Sequence, residues 1–139
     1  MKIHTSGCVI SSRGECDVID VTDSVEQTVG ESNVSEGQVH VFVQGSTAAI
    51  TTIEHEPGVV KDLKEAFERW APKKHAYHHE DAWHDGNGHA HVRASMIGQS
   101  ACFPVVDGKM VRGTWQQVVL VDFDNKPRQR NLVVQVMGR

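Results

Sequence analysis

The chain has 139 residues, 39% hydrophobic and 23% charged, with a formal net charge of −4, which suits one domain spanning residues 1–139. The acidic balance argues against a nucleic-acid partner, the N-terminus has no apolar run long enough for a signal-peptide core, and nothing elsewhere approaches the roughly 20 residues of a membrane span. Cys8, Cys16 and Cys102 form no C-x-x-C pair, so the expected setting is reducing and cytoplasmic, with inert thiols.

Cys16–Thr22 reads as a strand, followed by a short helix to about Ser32 capped by Asp23 or Ser24. Gln38–Gln44 is a strand with Val39, Val41 and Val43 on one face, and Ser46–Glu54 is another after a break at Gly45. Pro57 stands where a helix begins, and apolar residues at 59, 60, 63, 66, 67 and 70 form a core-facing stripe before Pro72 stops it. The next segment lacks periodicity until a helix over Gly88–Ile97, with Asn87 as N-cap and Gly98 as stop. The last third is β: "ACFPVV", a turn at Asp107-Gly108, "KMVRG", "TWQQVVLVDFD", a turn at Asn125–Pro127, then "RQRNLVVQVMG". Lys126, Arg128 and Arg130 read as a solvated face. The order of elements predicts an α+β domain with a largely antiparallel sheet and a few helices.

Five of the nine histidines fall in "HHEDAWHDGNGHAHVRAS", His78–Ser95. "HEDAW" begins like H-E-x-x-H, but Trp83 occupies the second histidine's place; "GNGHAH" begins like G-x-G-x-x-G, but His91 replaces the last glycine. Both motifs are rejected. Imidazole is the commonest side-chain metal ligand, and a loop bent at Gly86 and Gly88 can turn several inward, with Glu80, Asp81 and Asp85 orienting them. The helix that follows "DGNG" favours an anion at its N-terminus, with Arg93 and Ser95 a turn away. His75 and His78 read as surface residues, as do His4 and His40 in strand-like runs.

Three stretches, "GSTAAITTIEHEPG", "WHDGNGHAHVRASMIG" and "GTWQQVVLVDFDNKPRQRNLVVQVMG", together resemble the YjbQ-like family, over about Val39 to Gly138. The resemblance implies an α+β domain assembling as a homotrimer, histidine-bound metal, and a weak thiamine-phosphate synthase activity. The family's tyrosine-x-histidine matches Tyr77-His78-His79 and singles out His79; its histidine before a basic residue, Ala and Ser singles out His91; its strand acid matches Glu54. One branch carries a histidine where this chain has Gly45 and lacks a counterpart of His84. The expected metal set is therefore His79, His84 and His91, with His89 competing with His84.

Thiamine phosphate synthesis joins a pyrimidine-methyl diphosphate to a thiazole phosphate and expels pyrophosphate, so it demands charge neutralisation on the leaving group. Ser46, Thr47, Arg93, Ser95, Arg112 and Thr114 are the candidate phosphate-binding residues, and Glu54, Asp85 and His89 the candidate catalytic ones. Clustered imidazoles favour zinc, whereas a pyrophosphate substrate suits magnesium. Three readings stay open: a thiamine-phosphate synthase-like transferase, a metal-dependent hydrolase of a small phosphate-bearing substrate, and a non-catalytic trimer binding metal or anion. The expected partners are further copies of the chain and a small anionic substrate, with neither nucleic acid nor membrane.

Overall fold

The computed structural model describes Met1–Arg139. Its elements run β1 (Lys2–Ser12), β2 (Asp17–Asp20), α1 (Thr22–Ser32), β3 (Gly37–Gln44), β4 (Ala48–Ile53), α2 (Pro57–Trp70), α3 (His79–Trp83), α4 (Gly88–Ile97), β5 (Ser100–Val106), β6 (Lys109–Met110), β7 (Gln117–Asp122) and β8 (Arg128–Gly138). The strands make two wholly antiparallel sheets, β1-β8-β3-β5-β6 and β2-β7-β4. The fold is thus α+β, as the order of elements predicts. No helix is long and apolar enough to cross a membrane.

The three-stranded sheet lies in the middle. One face packs on the five-stranded sheet and α1, through Val25 and Val29 of α1, Val39, Val41 and Val43 of β3, Ile50 of β4, Leu120 of β7 and Leu132 of β8. The other face packs on α2 and α4, through Ala49, Val119, Val121 and Phe123 against Phe67, Ala90 and Ala94. A strand covered on both sides must be apolar at successive positions rather than alternately. The run Val118-Val119-Leu120-Val121 in β7 meets that demand, and all four are fully buried. Each such side chain contributes roughly 1.5–3 kcal/mol relative to exposure.

Helix boundaries follow local chemistry. In α2, Pro57 opens the first turn and the Glu56 carboxylate accepts from the Gly58 and Val59 amides. Of its apolar stripe only Phe67 is fully buried; Val59, Val60, Leu63 and Ala66 are half-buried and Trp70 is 48% exposed. The stripe therefore closes one edge of the second core rather than filling it. In α1 the capping role falls to neither Asp23 nor Ser24: Asp20 accepts from both the amide and the hydroxyl of Thr22. Asn87 does occupy the N-cap position of α4, but its side chain makes no cap and turns elsewhere.

Two further features go beyond or against the sequence reading. The strand-like run around His4 extends over eleven residues as β1 (Lys2–Ser12), paired along its whole length with β8 from Lys2↔Gly138 to Ser12↔Arg128. Arg130 is not on a solvated face. It continues the inward row of β8 from Leu132, Val134 and Val136, and is buried at 7% exposure. Its guanidinium grips Asp122 at 2.7 Å (Nε–Oδ2) and 2.8 Å (Nη2–Oδ1), and Nη2 also donates to the Thr47 hydroxyl. Removing one member of a buried pair leaves an uncompensated charge, at about 3–5 kcal/mol. Arg130→Met should therefore lower unfolding stability by about 3–5 kcal/mol in urea titration; a loss within the scatter of ordinary surface substitutions would show the pair to be dispensable.

Candidate metal centre

The site is built on the segment from Tyr77 to α4. The Tyr77 hydroxyl donates to the Pro72 carbonyl at 2.6 Å, fixing the entry to the segment. α3 then gives one turn and ends at His84, whose φ of 53° lies in the left-handed region. The chain turns again at Gly86, φ 73°. These bends reverse its direction, so that α4 carries His91 back over α3. The His79 and His91 ring centroids are 4.4 Å apart, and His79 Nε2 lies 3.1 Å from Asp85 Oδ1. One ligand atom from each of His79, Asp85 and His91 lies within 4.8 Å of the other two.

The loop is held from both sides. Glu80 accepts from the amides of Gly86 at 2.7 Å and Gly88 at 3.0 Å. Those bonds, the Gly86 contact foremost, hold the Glu80 carboxyl below its ordinary value. Asp85 accepts from the Asn87 amide at 3.0 Å, which with the neighbouring His79 lowers its carboxyl as well. Gly88 cannot carry a side chain, because a Cβ there would run into the Tyr77 ring. Behind the loop, Asn87 donates to Asp124 at 3.3 Å and accepts from the Asn125 amide at 2.9 Å. Asp124 also accepts from Thr47 at 3.0 Å and pairs with Arg128 at 3.1 Å. Burial opposes the Asp124 charge, but bonds from Thr47, Asn87 and Arg128 outweigh it and keep its carboxyl below the ordinary range.

The other candidates are distributed more widely. His84 offers no ligand atom to the group of three and is exposed. His89 is 1% exposed and faces away; its Nδ1 has no partner, and burial, with Arg93 and Lys73 nearby, pushes its pKa down. Arg93 is buried, donating to the Ala71 carbonyl at 2.9 Å and to Glu68 at 2.6 Å, so it ties α4 to the end of α2. Thr47 is spent on Asp124 and Arg130. Arg112 pairs with Glu26 at 2.9 Å and donates to the carbonyls of Gly113 and Thr114. Glu54 is exposed at the end of β4, its carbonyl accepting from the Glu56 amide. Ser46 and Ser95 line a pocket of about 130 Å³ with Gly45, Ala48, Ala94, Gln99 and His91. Asp81 touches only His78, at 3.7 Å on the open surface. Sequence reasoning passed over Asn87's side chain, Asp124 and Asn125; "DFDN" after an apolar strand is the one signal that polar groups are being carried into the interior.

The donor set fits a transition metal. Two imidazoles and a carboxylate suit zinc or iron-type sites with open positions, whereas magnesium prefers oxygen ligands alone. A layered antiparallel α+β domain with two half-buried histidines and an exposed aspartate brought together defines a small protein with a candidate metal centre. The family described as "UPF0047 protein YjbQ-like" matches residues 7–139, and the chain belongs to that family. A UPF0047 protein of Archaeoglobus fulgidus is 36% identical over 121 residues, covering 87% of this chain and 91% of the relative. UPF0047 protein YugU of Bacillus subtilis is 32% identical, covering 88% and 90%. A YbjQ-like protein of unknown function from Sulfolobus solfataricus P2 superposes with a TM-score of 0.89 at 34% identity, over 99% of both chains. A hypothetical protein from Aeropyrum pernix K1 gives 0.90 at 30% identity, over 97% and 98%.

A depressed carboxyl pKa stabilises the fold above the ordinary value, and the contribution is lost as pH falls through the depressed one. The Gly86 and Gly88 amide resonances should therefore hold their positions as pH falls past 4.5, the ordinary Glu value, and move only below it. Movement centred at or above 4.5 would show that Glu80 does not hold the loop. In Glu80→Ala both amides should exchange with solvent faster.

Proposed function

We propose that His79, Asp85 and His91 bind one divalent transition metal, zinc by preference, and that the bound metal acts on a small phosphate-bearing substrate. The observation that carries this reading is the convergence of two imidazoles and a carboxylate within 4.8 Å. A tetrahedral zinc site needs its ligand atoms roughly 3.3 Å apart, given bonds near 2.0–2.1 Å, so modest side-chain rotation closes this group. The metal would supply Lewis acidity toward a substrate oxygen. Asp85 is held in place as a ligand by the Asn87 amide, which donates to its Oδ1. The pocket beside His91 offers the Ser46 and Ser95 hydroxyls and the Gln99 amide as hydrogen-bonding groups for the substrate.

Hydrolysis of a small phosphate ester is the reaction this arrangement supports best. Transfer of the thiamine-phosphate synthase kind is the second reading, favoured by the family resemblance and by the hydroxyls of that pocket. It draws less support from the cations, since Arg93 and Arg112 are both engaged with carboxylates and carbonyls. Assembly as a homotrimer is what the resemblance implies.

Tag-free protein should take up one equivalent of zinc, read by elemental analysis after dialysis. His79→Ala and His91→Ala should each abolish stoichiometric uptake, whereas His84→Ala should retain it; loss in His84→Ala would make that residue a ligand in place of Asp85. Zinc-loaded protein should hydrolyse a phosphomonoester, and His91→Ala should not. Formation of thiamine phosphate from its two precursors, lost in the same variant, would favour the transferase instead. Metal binding with neither turnover would leave a metal- or anion-binding protein.

A further inference from the structure

We infer that Asn125 is a positioning residue for the metal centre: from the β7–β8 turn it fixes where Asp85 stands relative to His79 and His91. This role rests on the metal reading of the site. Asp85 lies between two left-handed residues, His84 at φ 53° and Gly86 at φ 73°, a segment whose backbone pivots easily unless restrained. Its side chain is bonded only within the loop, to His79 and the Asn87 amide. The restraint from outside is the Asn125 side-chain amide, which donates to the Asp85 carbonyl at 2.6 Å. Gly86 leaves room for that contact, since a Cβ there would stand 3.0 Å from Asn125 Nδ2.

Asn125 is itself anchored. Its backbone N–H donates to Asn87 Oδ1 at 2.9 Å, and Asn87 Nδ2 donates to Asp124 Oδ1 at 3.3 Å. The Asp124 amide in turn donates to Asp122 Oδ1 at 3.1 Å, and Asp122 holds Arg130. The Asp85 carbonyl is therefore referenced, through three side chains, to a buried ion pair rather than to a solvated loop. Groups that orient a metal ligand typically change metal affinity by about 10–100-fold when removed. Asn125 sits outside that group of direct ligands, so its effect must be exerted through Asp85.

The test uses cobalt(II) as a spectroscopic substitute for zinc in the full-length chain. Asn125→Ser keeps a residue favoured in turns but too short to reach the Asp85 carbonyl. Lys126→Ala is the control: the same turn, with an exposed side chain, its backbone N–H donating to Asp124 in either case. The expected result is a fall in cobalt affinity of about 10-fold in Asn125→Ser, with an altered visible absorption spectrum. The melting temperature of the metal-free protein should stay near that of the parent, and Lys126→Ala should match the parent in all three measurements. Unchanged affinity and spectrum in Asn125→Ser would overturn the positioning role while leaving the metal site standing. An equal fall in Lys126→Ala, or loss of a cooperative melting transition in Asn125→Ser, would overturn it too, because the residue would then serve only the turn or the fold. Failure of the parent protein to take up cobalt would overturn the metal reading itself.

Discussion

The grip of Arg130 on Asp122 and Thr47 is the contact on which the site end of the molecule depends. Three strands from two sheets meet there: β8 brings the guanidinium, β7 ends in the carboxylate, and Thr47 immediately precedes β4. A charge taken out of water persists only if its hydrogen-bonding capacity is met, and here Nε and Nη2 are both engaged. Because the acceptors are all on the middle sheet, the pair sets how the outer sheet stands against it. Asp124, two residues beyond Asp122, then carries the same polar network out to Asn87 and so to the loop of the candidate metal centre.

Much of this architecture is legible in the residues. Pro57, Pro72, Gly98 and the Asp107-Gly108 turn punctuate the chain where backbone chemistry demands it, and the helices and strands between them follow. The extent and pairing of β1 around His4 escaped because its alternation is carried by small and polar residues, Thr5, Ser6 and Gly7 among them, and its partner lies at the far end of the chain. Arg130 was legible in principle. Counting back in twos from Val136, Val134 and Leu132 places it on the buried face, but a charged residue in an arginine-rich stretch suggests water instead. The deciding fact is the carboxylate waiting on another strand, and local sequence cannot announce a partner eight residues away across a turn.

The site was legible to a different depth. The spacing of His79 and His91 matches no helical face; they meet because the chain bends twice between them, at His84 and Gly86. Gly86 advertises its bend, whereas a histidine at positive φ does not. At that bend His84 is left exposed, while the next residue, Asp85, stands 3.1 Å from His79 Nε2. Helix α4 makes the same point over a shorter distance. His89 and His91 are two residues apart, hence about 200° around the helix axis, and one is sealed in the interior while the other borders a pocket. Resemblance to a family can nominate such residues; only the course of the backbone sorts them into different environments.

The middle sheet, sealed on both faces, also orders the molecule in time. Protection against opening is greatest where a strand has paired neighbours on both edges and no face toward water, and β7 meets both conditions. The network behind the candidate metal centre starts where β7 ends, so one wall of the site inherits the slowest fluctuations in the protein. The opposite wall, from α3 through Gly86, is short and has no buried residue, so side-chain bonds from Glu80 and Asn125 hold it in place of core packing. The candidate centre therefore sits between a wall that opens only with the core of the fold and a strip of chain pinned by the Glu80 and Asn125 side chains.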